Sequence, residues 1–188
     1  EDVREGDFVQ VYVVDVKETE KGPKAIISRT HPDLIRRLFE KEVPEIFDGT
    51  VEIKAVAREA GSRTKIAVMS HNPDVDAVGA CIGTRGTRVS DIVNELGGEK
   101  MDIVDYSEDP AKFIAAALAP ATVLSVETAE DGSHVCKVTV PDSQLSLAIG
   151  NKGQNARLAA KLTGWKIDIK SQSQAQALLM AEDAGEEV

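Results

Sequence analysis

The amino-acid sequence predicts an α+β fold in which one structural unit occurs twice after a short strand-rich segment. Some stretches alternate polar and apolar residues, which is typical of strands, and others repeat apolar residues every three or four positions, which is typical of helices. The same order of elements appears a second time, with Gly83 of the first copy matching Gly150 of the second. With 188 residues, 42% of them hydrophobic, the chain can hold two or three small domains.

Strands are predicted in the first segment, residues 1–30. The run 8–16 is rich in β-branched and aromatic residues, a polar turn follows at 18–22, and a shorter run occupies 24–28. We interpret these strands as the end of a small β-barrel. Because the first residue is Glu1 and not Met, we expect the chain to be a fragment of a longer protein.

The first copy of the unit is assigned to residues 31–107. Pro32 suits the first position of a helix, Pro44 is expected to end that helix, and four apolar residues between them share one face: Leu34, Ile35, Leu38 and Phe39. The later elements of this copy are strands at 51–58 and 65–70, a short helix capped by Asp74 or Asp76 and ending at Ile82, a helix at 87–96 and a strand at 101–106.

The second copy, residues 108–171, repeats this order. Asp109 and Pro110 form a cap and first turn for a helix that reaches Leu118. The elements that complete this copy are strands at 122–127 and 135–140, a short helix capped by Ser143, a helix to about Leu162 that stops at Gly164, and a strand at 165–170. Residues 172–188 are predicted to be a helical or frayed acidic tail.

Each copy carries a Gly-x-x-Gly loop between two helices. The loops are Gly83-Thr84-Arg85-Gly86, here named the GTRG loop, and Gly150-Asn151-Lys152-Gly153, the GNKG loop, and this spacing of glycines occurs nowhere else in the sequence. The unpaired N–H groups of a helix's first turn and its positive dipole end attract anions, and glycine lets the backbone approach a phosphate. With one cation in each loop, the pattern predicts two phosphate clamps.

The clamps predict a non-catalytic protein that binds single-stranded RNA. The expected contacts are the eight loop residues together with Arg88 and Asn155, which occupy equivalent positions on the helix after each loop. A tight turn whose glycines merely permit helix packing is the alternative for each loop, and a solvated helix face is the alternative for the two flanking residues. Arg157 is a weaker candidate, because its counterpart is Ser90.

Base recognition is expected to be aliphatic. Aromatic residues make up only 4% of the sequence, which is too few for a stacking platform. The candidate groove residues, for each of which core packing is the alternative, are Ile82, Val89 and Ile149.

Composition argues against several other functions. The net charge of −10 disfavours a general nucleic-acid binder, but residues 120–175 carry six basic and five acidic residues, so this part is nearly neutral. Cys81 and Cys136 are too far apart for a metal knuckle, and no Ser-His-Asp or Cys-His arrangement can be placed. We therefore expect no catalytic residue, metal or cofactor. No apolar run has the roughly 18 residues of a membrane span, so we expect no membrane association and a cytoplasmic location.

The repeat resembles tandem type II KH domains, and longer stretches resemble the NusA family of bacterial transcription elongation and termination factors. The stretches that carry the second resemblance are 38–46, 78–83, 98–103 and 144–155. It implies that residues 1–30 are the C-terminal strands of an S1 barrel, which is an OB fold, and that both loops hold nascent RNA near RNA polymerase during pausing, termination and antitermination. It also implies RNA polymerase and other elongation factors as partners of the full-length protein. A monomer is expected.

Two other functions stay open. One is the RNA-binding end of an RNA-processing or RNA-degrading enzyme such as polynucleotide phosphorylase, in which a KH domain precedes S1, whereas here the strand-rich segment precedes both repeats. The other is a protein-interaction scaffold in which one copy has lost RNA binding. The cations in both loops speak against a scaffold.

Overall fold

A computed structural model describes residues 1–186 of the chain. These residues form two compact units, Glu1–Ile103 and a second unit that begins at Val104. Each unit contains both strands and helices, which confirms the predicted α+β class.

The order of elements repeats as the sequence predicts. The strands are β1 (Tyr12–Thr19), β2 (Gly22–Ser28), β3 (Val51–Glu59), β4 (Arg63–Ser70), β5 (Lys100–Asp105), β6 (Ser125–Thr128), β7 (Val135–Val140) and β8 (Lys166–Ser171). The α-helices are α1 (Pro32–Glu42), α2 (Pro44–Phe47), α3 (Ala77–Ile82), α4 (Thr87–Glu95), α5 (Pro110–Ala117), α6 (Leu145–Ile149), α7 (Gln154–Thr163) and α8 (Gln172–Glu186). The sheets have the orders β1-β2, β3-β4-β5 and β6-β7-β8.

The strands before the first repeat form an antiparallel hairpin, with Tyr12 opposite Ser28 and Thr19 opposite Gly22. The predicted start of the first strand is wrong, because Phe8 lies outside the sheet and is 99% exposed. A strand begins where its partner begins to pair, and β-branched content alone does not mark that residue. The assignment of this hairpin to the end of an S1 barrel stays a prediction.

Helix α1 begins and ends where the sequence predicts. The Nδ1 atom of His31 accepts a hydrogen bond of 3.0 Å from the backbone N–H of Asp33. Pro32 has no backbone N–H and therefore needs no such acceptor. The helix ends before Pro44, which instead opens the short α2. All four apolar residues predicted to share a face of α1 are buried, and the core that they join consists of Leu34, Ile35, Leu38, Phe39, Val43, Val51, Ile53, Ile66, Val68, Ala77, Cys81, Ile92 and Leu96.

A buried ion pair joins Glu99 to Arg58. Their side chains are 0% and 4% exposed, and the shortest nitrogen–oxygen distance between them is 3.0 Å. The Glu99 carboxylate also accepts hydrogen bonds of 2.7 Å from the Thr64 hydroxyl and from the backbone N–H of Gly61. The Arg58 guanidinium donates a further bond of 3.0 Å to the carbonyl of His31. The pair therefore connects the turn between β3 and β4 with the residues just before α1 and β5.

Asp102 forms a second ion cluster in the first repeat, 2.7 Å from Arg63 and 2.9 Å from Lys65. Burial alone would raise the pKa of Asp102, but hydrogen bonding to Arg63 and the charge of Lys65 outweigh it and hold this pKa below its usual value. The stability that this cluster contributes is therefore present above about pH 4 and is lost as the pH falls through the lowered pKa. In the second repeat the matching Asp168 pairs with Lys170 at 2.6 Å and is 51% exposed.

The second repeat confirms the predicted helix boundaries at Asp109 and Gly164. The Asp109 carboxylate accepts a hydrogen bond of 3.0 Å from the backbone N–H of Ala111, which caps α5. Helix α7 ends at Gly164, whose φ of 75° is left-handed. Strand β7 lies antiparallel to β6 and parallel to β8.

The cap predicted at Ser143 is wrong. A 3-10 turn occupies Asp142–Gln144, so the N-cap position of α6 falls on Gln144, which makes no side-chain hydrogen bond there. Asp142 instead accepts a hydrogen bond of 3.0 Å from the backbone N–H of Ser173 at the start of α8. In the first repeat Asp76 does occupy the N-cap position of α3, but its side chain makes no capping bond.

The predicted tail forms a helix, α8, as far as Glu186, and its residues 187–188 lie outside the described part of the chain. Three consecutive apolar residues of this helix are exposed: Leu178, Leu179 and Met180. None of the helices within residues 1–186 combines the length and the apolar character that crossing a membrane requires.

Candidate nucleic-acid interface

The GTRG loop joins α3 to α4 in one tight turn. Gly83 has φ 76° and ψ 171°, a conformation restricted almost entirely to glycine. Arg85 (φ 55°, ψ 27°) and Gly86 (φ 73°) are left-handed. The N–H of Gly86 donates to the carbonyl of Gly83 at 3.0 Å and closes the turn.

The GNKG loop has the same backbone. Gly150 has φ 79° and ψ 171°, Lys152 has φ 53° and ψ 30°, and Gly153 has φ 74°. The N–H of Gly153 donates to the carbonyl of Gly150 at 3.1 Å. The match between the two loops in sequence is therefore also a match in backbone geometry.

Each loop leaves one cation exposed. Arg85 and Lys152 are exposed side chains, as are their neighbours Thr84 and Asn151. Within residues 1–186, neither cation has a salt-bridge partner. A left-handed conformation costs a residue other than glycine roughly 1–2 kcal/mol. Both loops therefore hold their cation at a strained backbone position and leave its charge unpaired.

The two glycines of each loop have different roles. A Cβ atom at Gly83 would lie 2.7 Å from Cγ of Arg88, and one at Gly150 would lie 2.7 Å from the backbone nitrogen of Asn155. A Cβ atom at Gly86 or Gly153 would meet no atom closer than 4.0 Å. The first glycine thus permits close helix packing, whereas the last one keeps the open side of the loop free of a side chain.

We expect Gly150→Ala to lower the free energy of unfolding by about 3 kcal/mol, more than Gly83→Ala does. Both substitutions put alanine into a conformation that suits only glycine. At Gly150 the new methyl group also meets the backbone of α7, whereas at Gly83 it meets the flexible stem of Arg88, which can move aside. Urea denaturation would measure the difference, with Gly153→Ala as the control without a close neighbour. Equal losses for Gly83→Ala and Gly150→Ala would contradict this account.

Arg88 lies beneath the GTRG loop and is partly engaged. Its Nη1 atom donates hydrogen bonds of 2.7 Å to the carbonyl of Ala80 and 2.9 Å to the carboxylate of Glu45. The side chain is 30% exposed, and its Nε and Nη2 groups donate to no atom of the described residues. The RNA contact predicted for Arg88 would therefore use these two groups.

Asn155, at the equivalent position, is only 4% exposed. Its Nδ2 atom donates to the carbonyls of Leu118 at 3.0 Å and Ala148 at 2.9 Å, and its Oδ1 atom is buried without a partner among residues 1–186. The sequence predicts a direct RNA contact for Asn155, but this burial favours a different role. Asn155 joins the start of α7 to α6 and to the C-cap residue of α5.

The structure brings Arg157 to the GNKG loop, although the sequence marks it only as a weak candidate. Its Nη1 atom donates to the carbonyl of Lys152 at 3.1 Å and lies 4.0 Å from the position of a Cβ atom at Gly153. The guanidinium therefore stands near the open side of the loop. The equivalent Ser90 is exposed and carries no charge.

Apolar side chains lie directly before each loop. Ile82 and Ile149 occupy equivalent positions and are 37% and 38% exposed, and the neighbouring Leu147 is 43% exposed. Val89 is half-buried. These exposures leave aliphatic surface available at both loops, as the predicted groove for bases requires.

The thiols do not suit nucleophilic chemistry. Burial, followed by the charge of Glu45, raises the pKa of Cys81 to about 12, and burial raises the pKa of Cys136 as well. In the part of the chain that the structure describes, no three histidine, cysteine, aspartate or glutamate side chains come together as metal ligands.

Two family models match the chain. Residues 29–106 match a model described as the NusA-like first KH domain, and residues 110–177 match one described as the NusA-like second KH domain. The matched stretches contain both loops and every element from α1 to β8.

Curated proteins named transcription termination/antitermination protein NusA are similar to most of the chain. The protein of Halalkalibacterium halodurans is 61% identical over 183 residues, which are 97% of this chain and 48% of that protein. That of Bacillus subtilis is 61% identical over 92% of this chain and 46% of its own length, and that of Thermus thermophilus is 50% identical over 88% and 42%. The chain spans about half the length of these relatives.

A solved structure supports the fold. The crystal structure of APE1850 has a TM-score of 0.52 and 22% sequence identity, with 71% of this chain and 94% of that chain covered. Because two consecutive NusA-like domain models match the repeats, and because the identity to NusA proteins reaches 61%, the chain belongs to the NusA family, whose two KH domains it carries.

Proposed function

We propose that the chain binds single-stranded RNA through the GTRG and GNKG loops, as the RNA-holding part of a transcription elongation, termination and antitermination factor. The observation that carries this proposal is the shared geometry of the loops. Each holds an exposed cation, Arg85 or Lys152, in a left-handed conformation beside a glycine whose outer side is open. Backbone strain of this kind clusters at active sites and ligand clamps.

Single-stranded RNA suits both parts of this surface. The loop backbone and its cation would contact phosphates, and the exposed aliphatic residues Ile82 and Ile149 would contact splayed-out bases. The names of the relatives give the biological setting, which is termination and antitermination of transcription. In the full-length protein the RNA would be the nascent transcript, and RNA polymerase and other elongation factors would be the partners.

The proposed role is regulatory and not catalytic, in a cytoplasmic protein that acts as a monomer. The relatives bear the name of a regulatory factor. The hairpin of β1 and β2 precedes both KH domains, as expected for this factor, whereas in an RNA-degrading enzyme such as polynucleotide phosphorylase the KH domain would come first.

Aspartate substitutions in either loop test the proposal. We expect Thr84→Asp with Arg85→Asp, or Asn151→Asp with Lys152→Asp, to weaken RNA binding by about tenfold or more, because two carboxylates would stand where a phosphate binds. Aspartate tolerates the left-handed conformation, so the loop should keep its backbone and stability should change by only about 0.5 kcal/mol. Fluorescence anisotropy with a labelled unstructured RNA at fixed salt would measure affinity.

The matched control is Lys112→Asp with Gln176→Asp. It changes the net charge by the same amount at two exposed helix positions outside the loops. If the control weakens binding as much as the loop variants do, the effect is one of overall charge and the loops are not clamps. The same conclusion would follow if a loop variant bound RNA as tightly as the parent chain.

A further inference from the structure

The second cation of the first clamp, Arg88, stands beside a carboxylate. Glu45 of α2 accepts its hydrogen bond at 2.9 Å, and the two side chains are 30% and 33% exposed. The pair therefore faces solvent in part, directly beneath the loop that is proposed to hold a phosphate. A phosphate that approaches Arg88 would meet a guanidinium that is already paired with another negative group, the Glu45 carboxylate.

Arg88 does not need Glu45 in order to be positioned. Its Cβ, Cγ and Cδ atoms lie between 2.7 and 3.0 Å from the position that a Cβ atom at Gly83 would take, so its stem rests on that glycine. Its Nη1 atom is also held by the carbonyl of Ala80 at 2.7 Å. With glycine at position 83 these two contacts keep Arg88 beside the loop, so the distinct contribution of Glu45 is its negative charge.

The second clamp has no counterpart of this carboxylate on the equivalent residue. Asn155 is neutral, and its Nδ2 atom bonds only the backbone carbonyls of Leu118 and Ala148 among the described residues. The arginine at the GNKG loop is Arg157, which donates to the loop carbonyl of Lys152. The two loops thus share a backbone, but the equivalent residue after each loop differs: Arg88 is a cation paired with a carboxylate, and Asn155 is a neutral amide.

We propose that Glu45 attenuates the first RNA clamp by opposing the charge of Arg88. This inference rests on the proposed function of both loops. Neutralising Glu45 would leave Arg88 in place with its full charge available to a phosphate. The Nε and Nη2 groups, which are not engaged within residues 1–186, would then donate to the phosphate oxygens.

The test is Glu45→Gln in a chain whose GNKG loop is disabled by Asn151→Asp with Lys152→Asp. The probe is a labelled, unstructured RNA of about 12 nucleotides, with alternating adenosine and cytidine, titrated at several salt concentrations. We expect Glu45→Gln to raise affinity about three- to tenfold, since one nearby like charge is removed. The slope of log affinity against log salt should steepen by about 0.7, the value for one added phosphate contact on a single strand.

Two controls assign the effect to Arg88. Glu40→Gln removes the same charge from α1, where Glu40 pairs with the exposed Arg37, and should change affinity much less. Arg88→Gln should abolish the gain from Glu45→Gln. An unchanged or lower affinity for Glu45→Gln, or an equal gain for Glu40→Gln, would overturn the inference.

The parent chain provides a second measurement. There, Thr84→Asp with Arg85→Asp should remove the gain in affinity that Glu45→Gln brings, and a gain that persists would contradict the inference, because Glu45 would then act outside the first clamp. Failure of the proposed function has a different signature, because neither loop variant would then alter RNA binding at all.

Discussion

Replacing Glu99 with alanine is expected to lower the free energy of unfolding by about 3–5 kcal/mol. The substitution leaves the buried guanidinium of Arg58 with the carbonyl of His31 as its one hydrogen-bond partner within residues 1–186. It also removes the acceptor for the Thr64 hydroxyl and the Gly61 N–H. A charge left unpaired in a buried site keeps its full desolvation penalty. Urea denaturation followed by circular dichroism would measure the loss.

A double-mutant cycle separates the lost pair from the lost carboxylate. If the isolated charge of Arg58 causes most of the loss, the double variant Arg58→Met with Glu99→Ala should lose less unfolding free energy than the two single variants lose in total. Asp168→Ala is the surface control, because its partner Lys170 is also solvent-accessible, and it should cost about 1 kcal/mol or less. A loss for Glu99→Ala as small as that of the control would show that the buried pair is not important for stability.

RNA of roughly 8 to 12 nucleotides is expected to bind about 10² times more tightly than RNA of about four nucleotides. A single KH loop contacts about four nucleotides. Strand β5 ends at Asp105 and helix α5 begins at Pro110, so only residues 106–109 connect the two repeats. A connector this short keeps the second clamp at high effective concentration once the first has bound the strand. Each added phosphate contact should also steepen the salt dependence by about 0.7 in log–log slope.

A series of unstructured RNAs of increasing length, titrated at several salt concentrations, would measure this gain. The matched control is a flexible glycine–serine insert at Glu108, which lengthens the connector without altering either loop and should reduce the advantage of the longer RNAs. Affinity that stops increasing at four or five nucleotides, or that does not respond to the insert, would mean that the two clamps act independently.

The features that the sequence predicts correctly depend on local signals. Pro32 and the apolar spacing after it determine where α1 begins and which face is buried, and Gly164 determines where α7 ends. The two loops are also predicted from local signals. Their glycines and cations are adjacent in sequence, so the repeat shows their equivalence before any tertiary contact is known.

The features that the sequence does not predict depend on distant partners. Glu99 follows two glycines and resembles an exposed loop residue, but its partner Arg58 is 41 positions away. Asn155 resembles a surface residue of an amphipathic helix, but the carbonyl that it bonds, that of Leu118, is 37 positions away. No local pattern contains these pairings. They arise only when the helices and strands of a repeat pack together.

The left-handed backbone at Arg85 and Lys152 restricts which amino acids can supply the charge of a clamp. Branching at Cβ makes this conformation unfavourable, and the residues that adopt it most readily, glycine, asparagine and aspartate, carry no positive charge. At neutral pH, a side chain that is both unbranched and cationic has to be lysine or arginine. A cationic clamp at this position therefore requires arginine or lysine, and the first copy of the repeat has Arg85 where the second has Lys152.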